Sequence, residues 1–377
     1  MIHSNVKIKQ NHDIAGFVAK NVKKGEKNVH VIYKGMYISD QPEFYNYIEK
    51  LSNIFLPKLN VMVNSVCQFL VIIHKDLTAD IYVNDFPVIL SIKAKRNIEK
   101  GQLVSINDIA DIGQIKFGDI SIKADDKIMY CFKVGWKFGL YFNLDNKRQL
   151  DVDKCMLEIG ALYRYLHFQH LYKVLENDTE FDELLKDGWF PFIDIIGDEY
   201  KELSKIYKDK FDFENKTLNI VDKFDSTRIN KISDKWWSNE LFNSKKSLIS
   251  AGIDAYFQND KNGFINCIKN LTSEIEGITR LHYFGETNKS KPKFSELVKH
   301  IIEKAKEKSG SDDSLLLPMH FLRYLDEIFF ADFDLSDNKV TLSRHSSSHG
   351  VAKEDDFHKI KALQTILTLD QVYFYIN

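Results

Sequence analysis

Cysteine is scarce in this sequence, and the placement of the few that occur excludes two kinds of site. The four cysteines lie far apart in the chain, at Cys67, Cys131, Cys155 and Cys267. No two of them have the Cys-x-x-Cys spacing of a zinc ribbon, and they do not form the dense disulfide framework of small secreted proteins. We therefore expect reduced thiols that are buried in the folded protein.

Net charge and long apolar segments are also lacking. The formal charge is only −2 at pH 7, so the chain as a whole has no electrostatic attraction to a nucleic acid duplex. Any contact with nucleic acid must therefore come from a local patch. No apolar leader follows Met1, and no uninterrupted apolar run reaches the roughly eighteen residues of a membrane span. We expect a soluble, cytoplasmic protein that does not contact a membrane.

Several catalytic signatures are missing as well. The sequence has no P-loop, no GxGxxG motif after a predicted strand, no nucleophile elbow with a Ser–His–Asp triad, and no set of carboxylates with the spacing of a metal-dependent nuclease. These absences argue against an NTPase, a dehydrogenase and a hydrolase of the common α/β type.

Apolar residues, by contrast, are plentiful. They make up 44% of the 377 residues, and 13% of the chain is aromatic, which is enough for a sizeable core. A prior of about one domain per 150 residues predicts two or three domains. We predict an α+β protein, in which residues 1–150 form a β-rich domain, residues 151–240 a mixed, mainly helical connector, and residues 241–377 a bundle of helices.

Short runs of β-branched and aromatic residues between turn signals predict the strands of the first domain. The run Cys67–His74 (CQFLVIIH) is apolar almost throughout and predicts a strand buried on both faces. Leu77–Val83 and Val88–Lys93 are predicted to pair as a hairpin across Asn84–Pro87. Pro42–Phe55 has apolar residues at helical spacing, and it predicts one helix within the β-rich domain.

Helical spacing of apolar residues dominates after residue 151. Val152–Leu175 is predicted to form one long helix of about six turns. Five further helices are predicted in the bundle, at Ser244–Phe257 with Ser244 as its N-cap, Phe264–Tyr283, Phe294–Lys308, Leu315–Ala331 and Asp355–Ile376. Trp236 and Trp237 precede the bundle, and we interpret them as packing residues, with base stacking as the alternative.

A polar segment, Ser343–Gly350 (SRHSSSHG), precedes the last predicted helix. In it Arg344 and His349 are separated by four residues, and His345 follows the arginine directly. The segment resembles the Arg-x4–6-His motif of the HEPN family, in which Asn, Asp or His often follows the arginine. The sequence Ile268–Ile278 (IKNLTSEIEGI) also resembles the second helix of HEPN domains in abortive-infection proteins.

The resemblance implies a HEPN-like helical bundle at the C-terminal end of the chain and an endoribonuclease that needs neither a metal nor a cofactor. Family members are commonly toxins or effectors of anti-phage defence, and two motifs usually meet across a dimer. We accordingly expect RNA as the substrate, a homodimer, and an antitoxin or a phage-derived trigger as the regulator. Because a toxic ribonuclease needs restraint, we assign residues 1–150 a sensor or regulatory role.

The motif carries the residue types that RNA cleavage requires. RNA supplies its own nucleophile, the 2′-hydroxyl, so the enzyme must move protons and stabilise the charge on phosphorus. His349 is predicted to be the general acid or base, and Arg344 to bind the scissile phosphate through its planar guanidinium. His345 is predicted to move the complementary proton or to orient the substrate. Ser348 and Glu276 are predicted to support the site.

Spacing places a condition on this hypothesis. Five positions on an ideal helix rotate a side chain by about 500°, which is equivalent to 140°, so Arg344 and His349 would not share a face. We therefore expect Arg344 to lie in a turn before the helix. Glu276 either stabilises the charge of Arg344 or forms a surface pair with Arg280 four residues along the same helix.

Two alternatives remain open at the level of the sequence. His345 and His349 are four residues apart and are candidate ligands of a metal ion, with Asp355 or Asp356 as the third ligand. No glutamate of the HExxH kind lies between the histidines, so we predict no metal. In the second alternative the bundle is a non-catalytic HEPN-like module that serves dimerisation or partner binding.

Overall fold

The computed structural model describes residues 2–8, 19–20, 23–25, 27, 30–31, 33–55, 65–145, 148–333 and 342–377. The fold is mixed α and β, with a sheet in the N-terminal part and helices in the C-terminal part. The chain divides into two compact units. Unit 1 contains Met1–Ile92 and Ile112–Gln169, and unit 2 contains Lys93–Asp111 and His170–Asn377. The division differs from the predicted one, because the helix after residue 151 belongs to unit 1 and a short earlier segment belongs to unit 2.

Among the residues that the structure describes, ten strands and one α-helix precede residue 150. The strands are β1 (Ile2–Lys7), β2 (Ala19–Lys20), β3 (His30–Val31), β4 (Lys34–Ile38), β5 (Gln68–Ile73), β6 (Thr78–Val83), β7 (Ile89–Ala94), β8 (Ile109–Lys116), β9 (Lys127–Val134) and β10 (Lys137–Asn143). The helix α1 spans Pro42–Phe55, as the sequence predicts. Unit 1 is organised around an antiparallel six-stranded sheet in the order β1-β6-β5-β9-β10-β4.

Both faces of this sheet are covered. Phe44, Leu51 and Phe55 of α1 pack on one face, against Val71 and Ile73 of β5. On the other face lies α2 (Val152–His167), and the buried residues of that layer include Leu70, Ile72, Cys155, Met156 and Ile159. Five of the six residues of β5 are consequently buried, which confirms the strand predicted to be buried on both sides.

The predicted hairpin between the sixth and seventh strands is wrong. β6 already has β1 on one side and β5 on the other, so neither of its edges is available to β7. β7 pairs with β8 instead. The positive φ of Asn84, 57°, turns the chain at the end of β6, and its side-chain oxygen accepts hydrogen bonds from the backbone N–H groups of Cys67 and Gln68. Asn84 therefore ties the turn back to β5.

The helices of the second half are more numerous than predicted. They are α3 (Gln169–Leu175), α4 (Asp178–Lys186), α5 (Asp198–Asp209), α6 (Phe213–Asp222), α7 (Ser226–Asp234), α8 (Glu240–Ser244), α9 (Lys246–Phe257), α10 (Lys261–Thr287), α11 (Phe294–Ser309), α12 (Pro318–Tyr324), α13 (Arg344–Ser348) and α14 (Lys359–Ile376). A π-helical turn, Leu325–Phe329, extends α12.

Three predicted boundaries need correction. The single helix expected over Val152–Leu175 is interrupted at Phe168, which is buried and has a non-helical φ of −112°. Ser244 is not an N-cap, because it ends α8 and its hydroxyl donates to the carbonyl of Leu241. The last helix begins at Lys359, after a 3₁₀ turn and the extended residue His358.

The last helix, α14, lies at the centre of unit 2. Its residues from Ala362 to Tyr375 are all buried, and it packs against α9, α10 and α11. Its most deeply buried charge is Asp370, which accepts a hydrogen bond from the indole of Trp236 at 2.6 Å and pairs with Lys235 at 2.8 Å. Trp236 is fully buried, which confirms the packing interpretation for this residue.

The segment Lys93–Asp111 is part of unit 2 although it lies early in the sequence. Asp111 is 1% exposed and accepts hydrogen bonds from the hydroxyl of Ser314 at 2.6 Å and the backbone N–H of Leu315 at 3.3 Å. Lys93 donates to the carbonyl of Ser309 at 3.1 Å. The chain thus enters unit 2 within β7, returns to unit 1 within β8 and enters unit 2 again after Gln169.

Two expectations from composition can be compared with this fold. Three of the four cysteines are buried, whereas Cys67 is exposed. Within the part of the chain that is described, no helix is both long enough and apolar enough to cross a membrane.

Candidate functional site

The Arg-x4-His segment forms a helix of its own, α13. Its N-cap is Ser343, whose hydroxyl accepts a hydrogen bond from the backbone N–H of Ser346 at 3.2 Å. The hydroxyl of Ser346 accepts in turn from the backbone N–H of Ser343 at 2.8 Å. These serines therefore have a structural role in starting the helix. The expectation that Arg344 lies in a turn is wrong, because Arg344 is the first helical residue and His349 is the C-cap.

The predicted catalytic side chains nevertheless lie toward the outer side of this helix, although Arg344 and His349 are too far apart around the axis to share one face. At about 100° per residue, Arg344, His345, Ser348 and His349 fall within an arc of about 140°. The arginine and the first histidine are partly exposed, and the serine and the second histidine are exposed. The two intervening serines point inward, with exposures of 0% and 4%. The short helix thus buries its small residues and presents its guanidinium and both imidazoles.

Glu276 of α10 contacts the guanidinium of Arg344. The distance between Oε2 of Glu276 and Nε of Arg344 is 2.5 Å, but the N–H is not aligned with the oxygen, so the contact is an ion pair without a hydrogen bond. The other carboxylate oxygen accepts a hydrogen bond from Nε of Arg280 at 2.8 Å. Both sequence interpretations of Glu276 therefore apply, except that the carboxylate is buried, with 7% exposure, and not on the surface.

Aromatic rings support the two imidazoles. The ring of His345 packs edge-on against Phe294 of α11 at 5.3 Å between centroids, and its Nε2 lies 3.9 Å from a carboxylate oxygen of Asp332. The ring of His349 lies 5.8 Å from that of Phe333. Elements distant in sequence thus hold the first histidine, whereas the second histidine is exposed.

Two cavities lie beside the motif. A small one of about 30 Å³ is lined by Arg344, Ser343 and Lys361, among others. A larger one of about 660 Å³ shares Lys361 with it and is also lined by Lys186 and Lys353. Desolvation lowers the pKa of Lys361 to about 8, and its ammonium donates to the backbone carbonyl of Asp187 at 2.8 Å. Three lysines therefore line the cleft next to the predicted site, together with the carboxylates of Asp187, Glu327 and Asp356.

The metal alternative receives no support from the geometry of the motif. Asp355 is exposed and pairs with Lys261 at 3.3 Å. Among the described residues, the one group with ligand atoms close enough to share an ion is His282, Glu286 and His300, which contains neither His345 nor His349. The sequence analysis missed that group. Its one local signal is the spacing of four residues between His282 and Glu286 on a helix.

Comparisons with known proteins add no assignment to this geometry. No family model, no curated protein and no solved structure matches the chain.

Proposed function

We propose that this protein is a metal-independent endoribonuclease of the HEPN type, acting as a regulated toxin or abortive-infection effector in anti-phage defence. The observation that carries the proposal is the composition of the outer side of α13, where one guanidinium and two imidazoles lie within one arc. The defence role follows from the family resemblance alone.

In the proposed reaction one imidazole removes the proton of the RNA 2′-hydroxyl, and the 2′-oxygen attacks the adjacent phosphorus. The bond to the 5′-oxygen of the next nucleotide breaks, and a protonated imidazole supplies its proton to that oxygen. The products are a 2′,3′-cyclic phosphate and a 5′-hydroxyl, and no metal is consumed or required. His349 and His345 are the candidates for these two proton transfers, and Arg344 stabilises the negative charge on the phosphoryl oxygens.

The site needs a second copy of the chain in this proposal. One copy presents one guanidinium, and Glu276 already neutralises part of its charge. Two motifs facing each other would supply two guanidinium groups and four imidazoles around one phosphate. A mixture of the inactive variants Arg344→Ala and His349→Ala should then regain part of the activity, since mixed dimers retain one intact group of each type. A strictly monomeric species, measured by light scattering, that still cleaves RNA would contradict the composite site.

The neighbouring cleft offers a path for the RNA backbone. Lys186, Lys353 and Lys361 line it, and lysines that neutralise phosphates make binding fall as salt rises. Lys186→Ala should weaken RNA binding uniformly across sequences and reduce the salt slope by about 1. An unchanged slope of log Kd against log salt would place the RNA elsewhere.

Single-turnover cleavage of a labelled RNA tests the proposed chemistry. Arg344→Ala should slow cleavage by roughly 100- to 1,000-fold, and His349→Ala by roughly 100- to 10,000-fold. His345→Ala should cost as much if its imidazole moves the second proton, and less if it only orients the substrate. Arg280→Ala is the matched control, because this arginine binds the same carboxylate but lies outside the motif. Cleavage should persist in EDTA.

The Arg344–Glu276 ion pair also favours a second candidate function, a non-catalytic HEPN-like module for dimerisation or partner binding. In that case the arginine joins α13 to α10 and contacts no phosphate. Absence of cleavage under every condition, together with a loss of stability in Arg344→Ala, supports this candidate. Wild-type cleavage by either Arg344→Ala or His349→Ala shows that the motif is not the active site.

A further inference from the structure

Three potential metal ligands converge at the contact between α10 and α11. His282 and Glu286 lie one turn apart near the end of α10, and His300 lies on α11. One ligand atom from each lies within 4.8 Å of the others. Nδ1 of His282 is 2.8 Å from Nε2 of His300, and Nε2 of His282 is 3.9 Å from a carboxylate oxygen of Glu286. None of the three belongs to the motif on α13.

The two imidazoles are held in place by their surroundings. His300 is 5% exposed, and the ring of Tyr283 packs against it edge-on at 5.2 Å. The ring of His282 lies 5.0 Å from that of His300 between centroids, so the two imidazoles pack against each other.

We propose that His282, Glu286 and His300 bind a divalent transition metal ion, of which zinc fits the ligand set best. Zinc takes neutral imidazole nitrogens and carboxylate oxygens in tetrahedral sites, and a site with three protein ligands keeps one position for water. With Zn–N bonds of about 2.05 Å, tetrahedral geometry places two nitrogens about 3.3 Å apart. The observed distance between Nδ1 of His282 and Nε2 of His300 is 2.8 Å, so a small rotation of one imidazole ring brings this pair to the required separation.

Lys304 is the internal competitor for this site. Its ammonium lies 2.9 Å from Glu286 and 3.1 Å from Glu307, so it can keep the second partner when an ion takes the first. Glu286 is the most exposed of the three ligands, with 42% of its side chain accessible. The open coordination position therefore faces solvent, and the ion has a direct path of entry.

The inference does not depend on the proposed ribonuclease activity, since the two sites use different side chains. An ion here would join the end of α10 to α11, the helices that also carry Glu276 and Phe294. EDTA should then lower the thermal stability of the protein, whereas RNA cleavage should persist because the proposed catalytic residues do not bind the ion.

Calorimetric titration of the full-length, EDTA-stripped protein with zinc chloride tests the proposal. We expect one ion per chain, and a distorted tetrahedral visible spectrum when cobalt(II) replaces zinc. The affinity for zinc should fall by more than about 100-fold in His300→Ala and His282→Ala. That loss is larger than the one expected on removing a residue that only hydrogen-bonds to a metal ligand. His320→Ala is the matched control, because it removes a partly buried histidine of α12 outside the group.

Two variants, at the exposed Glu286 and the partly exposed Lys304, keep the test valid if a histidine variant fails to fold. Glu286→Gln should weaken zinc binding, and Lys304→Gln should tighten it by up to about fivefold, because a competing ion pair worth about 1 kcal/mol is removed. A gain of affinity is not expected from damage to the fold. Absence of zinc binding, or binding that is unaffected by His282→Ala, His300→Ala and Glu286→Gln, overturns the proposal.

Discussion

Glu276→Gln is the substitution that most directly tests the structure of the motif. Its carboxylate joins two elements of unit 2: it lies on α10, where it binds Arg280 one turn further along, and it contacts Arg344 on α13. The amide keeps the size of the side chain and one acceptor oxygen but removes the charge. Both guanidinium groups then lose their counter-charge, while the packing around them is conserved.

The expected cost lies between two limits. Removing one partner of a fully buried ion pair costs about 3–5 kcal/mol, and an exposed pair contributes about 0.2–1 kcal/mol. The side chain of Glu276 is 9% exposed, that of Arg344 is 24% exposed and that of Arg280 is 41% exposed. The pair with Arg344 is therefore intermediate and the pair with Arg280 lies near the lower limit. We expect a loss of about 2–3 kcal/mol, which lowers the melting temperature of a unit of this size by roughly 4–12 °C.

Thermal unfolding of the full chain, followed by circular dichroism and calorimetry, measures this change. Arg280→Gln is the control and should cost less than about 1 kcal/mol. A double-mutant cycle between Glu276→Gln and Arg344→Gln should give a coupling energy of about 0.5–3 kcal/mol. A Glu276→Gln variant within about 0.5 kcal/mol of the wild type would refute the reasoning, because that is the range of an ordinary surface substitution.

Three other predictions follow from buried or bridged groups. In the native protein at pH 8 one thiol, Cys67, should react with a thiol reagent, and all four thiols should react after unfolding. The other three are buried, and desolvation raises their pKa. Reaction of more than one thiol in the native protein would contradict their burial. Burial lowers the pKa of His74, but hydrogen bonds to Asp126 and Asp80 outweigh burial and raise the pKa overall. The wild type should therefore lose stability relative to His74→Gln as the pH rises from 6 to 8 through the folded pKa. Melting temperatures of the two proteins that change in parallel with pH would exclude the effect. Asp370→Asn should cost about 3 kcal/mol or more, since Lys235 stays buried with one carboxylate fewer; chemical denaturation with an unchanged midpoint would show that this pair is not a source of stability.

The pattern of apolar residues was sufficient to predict an element whose structure depends mainly on its own residues. The apolar spacing in Pro42–Phe55 predicts α1 with both boundaries, because an amphipathic helix needs only one apolar face to pack on a sheet. The run around β5 predicts a strand buried on both faces for the same local reason. Strand pairing is different, because it depends on which edges other strands have already taken. β6 has partner strands on both sides, and no residue between β6 and β7 indicates this pairing.

The candidate site divides in the same way. The residue types of the motif and their spacing follow from the sequence, but the helix α13 does not: Arg344 is expected in a turn, and Ser343 instead caps a short helix that begins at Arg344. The partner of Arg344 does not follow, because Glu276 is as well placed for Arg280, and sequence alone cannot show that one carboxylate serves both. The group of His282, Glu286 and His300 was missed because its third member lies on another helix.

The early segment Lys93–Asp111 bears on how this protein can be taken apart. A truncation that begins at residue 151, where the composition shifts, discards this segment together with the sheet. The hydroxyl of Ser314 and the N–H of Leu315 would then lose the buried carboxylate that accepts from them, at a cost of about 1–3 kcal/mol for each unsatisfied group. Because segments of the two units alternate along the chain, no single truncation point separates one unit from the other. Exchange of one unit by recombination would require junctions at both ends of the interleaved segment, because a single junction after the sheet also removes residues 93–111 of unit 2.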